Sequence, residues 1–148
     1  MELQLLPRIN HIKAIEIAYE LQIDLHNRPS SELWVIKALD ISRFAVFAVD
    51  FSGYGVGAAL NTFRLSALMK DVHLIPMNPS DYLSILNDML SELIPLGHFL
   101  TMNFAIINVD ANTVTYSSAA DKPTIIGNPS SGNVIVCEDN GRSLGIEK

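Results

Sequence analysis

The sequence is nearly empty of cysteine. Cys137 is the single one in 148 residues, so no internal disulfide can form and no multi-thiolate metal site can be built. A small cysteine inside an apolar strand pattern reads as buried, and a reducing cytoplasm is the expected setting. Positive charge is scarce too: ten Lys and Arg, scattered along the chain, stand against sixteen Asp and Glu, giving a net charge of −6 and a pI near 5.0. Nucleic acid and anionic membranes are thereby excluded as main partners, because the average surface repels both. No apolar run is long enough for a signal peptide or a membrane span, and the N-terminus MELQLLPRIN carries an acid at position 2. His11, His26, His73 and His98 stand singly, without the H-x-x-x-H or H-E-x-x-H spacing of a zinc site. The G-K-[ST] of a Walker loop is absent, and no serine lies in a G-x-S-x-G elbow.

What is there suits one compact unit. With 49% hydrophobic and 18% charged residues, residues 1–148 are expected to form a single domain with a sizeable core. Leu6, Ile9, Ile12, Ile15 and Tyr19 recur at helical spacing and predict a leader helix over about 7–20, within residues 1–21. Gln22 to Arg28 alternates as a strand. Leu33 to Leu39 and Phe44 to Phe51 follow as two more, joined by Asp40-Ile41-Ser42-Arg43, a loop of hairpin length. FAVFAV in the second is almost all apolar and predicts a central strand covered on both faces. Val56 to Met69 predicts a mostly buried helix, and Asn78-Pro79-Ser80 opens a second amphipathic helix running to about Ile94. Phe99 to Val109, Thr113 to Ser118, Thr124 to Ile126 and Val134 to Cys137 then read as strands. Strands on either side of a helix pair predict an α+β fold of two antiparallel sheets packed face to face with helices outside.

The densest signal is AVDFSGYGVGAAL, residues 48–60, where an apolar strand ends in Asp50 and Gly53, Gly55 and Gly57 lead into a helix. A dinucleotide site is disfavoured, since the G-x-G-x-x-G register and a βαβ crossover are both missing. The turn can present a carboxylate to a metal, or its glycines can serve only to run a strand into a buried helix.

FAVFAVDFSGYGVGAALNTFRLSALM resembles the D-x-S-G-x-G-x-x-A-A-L stretch of the metal-dependent protein phosphatases, in the bacterial branch named after sporulation stage II protein E. Downstream, NPSDYLSILNDML, HFLTMNFAIINVDANTVTYSSAADKPTII and GRSLGIEK are similar to that family's next helix, strand pair and P-L-G-x turn. Upstream, LLPRINHIKAIEIAYELQIDLHNRPSSEL is similar to its leader helix and first strand. The resemblance implies an αββα sandwich that hydrolyses phosphoserine or phosphothreonine with two Mn²⁺ or Mg²⁺ ions. It also implies Asp50 as the bridging carboxylate and the Phe51 backbone carbonyl as a neighbouring ligand, with glycines that let backbone approach the ions.

Two departures from the family pattern set a different expectation. The family follows S-S-E-L with G-G-D and an aromatic, and that Asp supports the metal centre. Here Ser30-Ser31-Glu32-Leu33 runs directly into Trp34, so the acid is missing unless Glu32 substitutes; the alignment instead makes Glu32 the S-S-E glutamate, ahead of the strand. The family's later T-D-G strand and final Asp also have no counterpart, only Ile146, Glu147 and Lys148 following Gly145. Asp121, in a turn between strands, is a further carboxylate candidate. The expectation is therefore a truncated, degenerate phosphatase fold in the cytoplasm, with Mn²⁺ or Mg²⁺ held weakly or not at all. It would act on a protein partner or phosphoprotein by binding, or assemble as a homo-oligomer through an exposed sheet edge. The alternative is an active Mn/Mg-dependent phosphatase completed by Glu32, Asp121 or a second subunit.

Overall fold

The tightest local structure is the turn at residues 39–42. Asp40 accepts hydrogen bonds from the Ser42 and Arg43 backbone N–H groups (2.9 and 2.7 Å) and from Arg43 Nε (2.6 Å), a compact Asx-type turn. The Ser42 N–H, with the Arg43 guanidinium next in weight, holds the Asp40 carboxyl down at about 2. This turn folds β2 (Glu32–Ala38) against β3 (Arg43–Phe51), with Ala38 opposite Phe44 and Glu32 opposite Asp50.

The structure is a computed structural model that describes residues 2–4, 32–53, 56–71, 78–119, 123–128, 131–137 and 141–146. The expected leader helix over 7–20 and the strand over 22–28 lie outside these residues. A short strand that the sequence pattern did not predict, β1 (Glu2–Gln4), pairs antiparallel with Thr113–Thr115. With β4 (Leu100–Asn108) and β5 (Thr113–Ala119), the main sheet is antiparallel in the order β1-β5-β4-β3-β2. β6 (Thr124–Gly127) and β7 (Val134–Cys137) form a second, two-stranded antiparallel sheet. Two antiparallel sheets with helices confirm the α+β class.

Period-two alternation gives the main sheet two different faces. Ala45, Phe47, Val49 and Phe51 of β3 and Leu100, Met102 and Phe104 of β4 are buried on one face, under both described helices. These are α1 (Val56–Asp71) and α2 (Pro79–Leu93). α2 starts where Asn78 caps it, its side chain accepting from the Ser80 N–H (3.3 Å), with Pro79 at a first-turn position that needs no donor. It lays Tyr82, Leu83, Leu86 and Leu90 on the sheet. Phe47, Phe104 and Tyr82 form an aromatic cluster, with Phe47 and Phe104 stacked at 4.4 Å. The Tyr82 hydroxyl is buried there without a hydrogen-bond partner among the described residues, and burial pushes its pKa up to about 12.

Two expectations need correction. α1 is not mostly buried: Ala58, Asn61, Leu65 and Met69 face inward, while Leu60 is 54% and Phe63 75% exposed, because only one side of a surface helix meets the sheet. β3 is interior to the sheet as FAVFAV implied, yet its second face, Val46, Ala48 and Asp50, is only half-buried. The β6–β7 hairpin reaches that second face through Thr124, whose Oγ1 donates to Asn103 Oδ1 (3.1 Å). Cys137 is buried, as its setting predicted.

After Ala119 ends β5, the segment 141–146 takes the lane beside β4. Leu144 and Leu100 exchange backbone hydrogen bonds (2.9 and 3.1 Å), the Gly145 N–H donates to Asn87 Oδ1 (2.9 Å), and the Leu144 side chain joins the core. No helix among the described residues is long and apolar enough to cross a membrane.

Candidate metal centre

Asp50 is the next-to-last residue of β3, half-buried on the second face of the sheet. Two residues further the chain is locked. Ser52 donates its N–H to the Phe99 carbonyl (2.8 Å) and accepts the Phe99 N–H on Oγ (2.9 Å), so strand and turn meet at a fixed point. Phe51 drives its ring into the core at 3% exposure, which anchors the backbone just after Asp50. Gly53 then adopts φ +95°, a conformation that strains other residues, and a Cβ placed there would meet nothing within 4 Å. The space beside Gly53 is thus open. Gly57 lies in the first turn of α1 with open space beside it, and Gly55 lies outside the described residues.

The sheet register defines the neighbourhood of Asp50. On one side its partner position is Glu32, and on the other Thr101. The sequence pattern set Glu32 ahead of the strand; it is instead the first residue of β2, directly across from Asp50. Two residues along the same face comes a polar row: Asn103 opposite Ser118, with Thr124 bonded to Asn103 from the hairpin. The Ser118 hydroxyl is buried and without a hydrogen-bond partner among the described residues. This end of the face is therefore rich in neutral oxygen groups and poor in carboxylates. Toward the other end the face turns apolar, through Val46, Ala105 and Tyr116.

A centre for two hard divalent ions draws on several carboxylates, because such ions dehydrate reluctantly and need anionic oxygens to offset the lost water. Among the described residues no group of three His, Cys, Asp or Glu could hold a metal ion. Among the described residues, Asp50 with one acid position across from it does not fit a two-ion centre. Asp121, the further candidate, lies outside the described residues, as do His11, His26 and His73. His98 is exposed in the loop before β4, and Asp81 and Asp88 are exposed on α2, the first of these in its favourable first turn. A cleft of about 560 Å³ between α2 and the 141–146 segment, lined by Ser84, Asn87, Ser117 and Arg142 among others, lies beside β5, two strands away from β3.

Antiparallel sheets with a helix pair on one face, and an Asp-Phe-Ser-Gly turn ending a core strand, define a phosphatase-type sandwich domain. The sequence model described as stage II sporulation protein E (SpoIIE) matches residues 40–148, and the chain belongs to that family. It is also similar to the phosphoserine phosphatase RsbU of Bacillus subtilis (strain 168), with 28% identity over 109 residues, 74% of this chain and 32% of that protein. The chain spans about a third of the length of that curated relative. The resemblance seen in AVDFSGYGVGAAL is thus confirmed at the level of family.

Proposed function

We infer that this chain is a phosphatase-fold domain with an incomplete two-ion site, acting in bacterial signalling by binding a protein partner or phosphoprotein rather than by hydrolysing it. The observation that carries this reading is the ligand set: Asp50 with a single acid position opposite, and no group of three His, Cys, Asp or Glu among the described residues. Without two ions to orient and acidify a water, the fold has no means of generating the nucleophile for attack on phosphorus. Asp50, at the end of β3 beside Gly53, serves recognition in this reading. Assembly as a homo-oligomer is part of the same reading. β2 is an edge of the main sheet among the described residues, and the hairpin exposes Ile125, Val134 and Val136. The lone buried cysteine and acidic surface suit the cytoplasm.

A second reading is favoured by one specific observation, the Glu32–Asp50 register. It is an active Mn²⁺- or Mg²⁺-dependent phosphoserine or phosphothreonine phosphatase, its further ligands supplied by Asp121 or a second subunit; the name of the relative from Bacillus subtilis supports it. Equilibrium dialysis against Mn²⁺ separates the two. The incomplete-site reading expects fewer than two ions per chain. Two tightly held ions per chain, both lost on Asp50→Asn, would contradict it.

A further inference from the structure

β1 and β2 lie at opposite ends of the main sheet, and because every step of β1-β5-β4-β3-β2 reverses direction, the two run parallel. They are also diagonally opposed. Gln4 ends β1 beside Thr113, level with Arg43, whereas Glu32 starts β2 beside Asp50. Residues 5–31, outside the described residues, join those two corners, so the chain has one face of the sheet or the other to cross. The first face carries the core residues under α1 and α2. The second is apolar away from the Asp50 end: Ile36, Val46, Ala105 and Tyr116 share one cross-strand row, and Phe44 and Ile107 belong to the next. Phe44 and Tyr116 are only 6% and 7% exposed, which makes this face interior, and the β6–β7 hairpin is tied to it at Asn103, toward its other end.

Chirality selects the same face. Seen from the helix side with β4 upright, the Leu100 side chain points at the viewer, and its N–H and C=O, bonded to Leu144 in the β5 lane, point right, as an L-residue in a strand requires. β5 and β1 therefore lie to the right, and β3 and β2 to the left. A connection leading leftward from β1 to a parallel β2 is right-handed only if it passes behind the sheet, and such crossovers are almost always right-handed. We propose that residues 5–31 cross the second face and that the stripe Leu6, Ile9, Ile12, Ile15 and Tyr19 docks on Val46, Ala105 and Ile107. The lengths agree: the four strand spacings of about 4.8 Å make about 19 Å, and residues 7–20 at helical rise make about 21 Å. The occupant of this face is thus the chain's own leader, which leaves the outer side of the hairpin, with Ile125, Val134 and Val136, as the apolar surface for a partner.

The test is maleimide labelling of the full chain on a Cys137→Ala background, comparing Ala105→Cys on the second face with Asp88→Cys on exposed α2. Ala105→Cys is expected to react about tenfold or more slowly than Asp88→Cys, since it labels only when the leader opens locally. Ile9→Asp with Ile12→Asp is expected to abolish most of that difference while hydrogen exchange in α2 stays protected, which separates release of the leader from loss of the fold. Ala105→Cys labelling as fast as Asp88→Cys, or protection that survives both Asp substitutions, overturns the proposal. Protection that fades on dilution makes a second copy the cover and overturns it too. Cross-linking decides the matter without destabilising charges: a short bismaleimide is expected to join Ile12→Cys to Ala105→Cys within one chain and not to Ser84→Cys on the helix side. The reverse preference overturns the proposal.

Discussion

Phe47→Ala is expected to destabilise the fold by about 3–5 kcal/mol, the range for removing a fully buried aromatic side chain from a core. Phe47 is 1% exposed at the middle of β3, stacked on Phe104 at 4.4 Å and tilted against Tyr82 at 5.6 Å. Both partners come from other elements, β4 and α2, so the ring joins sheet to helix. Its removal leaves a cavity bounded by strand backbone on one side and by Tyr82 on the other. The sheet cannot collapse into it without losing ladder hydrogen bonds, and α2 is held at its start by the Asn78 cap. Against a total stability of about 5–15 kcal/mol for a domain, this is a large fraction. Urea denaturation checks it: with a slope of about 1–3 kcal/mol/M, the midpoint should fall by more than about 1 M. Phe47→Leu, which keeps most of the volume, should cost well under half as much. A small shift for Phe47→Ala would mean that α2 does not rest on this ring.

Gly141→Ala is expected to be the next most damaging change, at about 3 kcal/mol, although it adds a single methyl group. A Cβ at position 141 would run into the carbonyl of Ser118, which is β5 backbone and cannot rotate away. The segment must then lift, and it carries the Leu100–Leu144 pair of backbone hydrogen bonds and a Leu144 side chain that is 5% exposed. Hydrogen exchange should report the lift locally, as lost protection at the amides of Leu144 and Gly145. Gly57 offers the contrast. It sits inside α1 with nothing within 4 Å of its missing Cβ, so Gly57→Ala should be neutral or stabilise by up to about 1 kcal/mol. Equal losses at the two glycines would contradict this account of the 141–146 segment.

Much of the fold was legible because local signals agreed with the tertiary answer. Asn78-Pro79-Ser80 reads as a helix start in sequence and caps α2 in space, and Asp40 makes the β2–β3 turn that its position implied. From that turn, counting back along both strands already sets Glu32 across from Asp50. The family pattern pulled Glu32 ahead of the strand, and the hairpin geometry moves it to the pair. α1 misled for a different reason. VGAALNTFRLSALM has apolar residues on every side, so period alone cannot show which face meets the sheet; Leu65 is fully buried while Phe63 is exposed. The three residues of β1 give no periodic signal, because so short a strand owes its existence to its partner Thr113–Thr115. Nor does any motif announce that Leu144 will pair with Leu100, a contact between residues far apart in sequence. At the candidate site, Asp50 and the glycine turn at Gly53 were readable from AVDFSGYGVGAAL. The neutral row of Asn103, Ser118 and Thr124 beside them was not, since it is assembled by register across three strands.

The most direct test of a phosphatase fold that binds without hydrolysing is phosphate release from a phosphoserine peptide, measured over a Mn²⁺ titration for wild type and Asp50→Asn. No Mn²⁺-dependent release above the metal blank is expected, with the two proteins indistinguishable. Release that rises with Mn²⁺ in wild type and disappears in Asp50→Asn would contradict it and establish the chain as an active phosphatase.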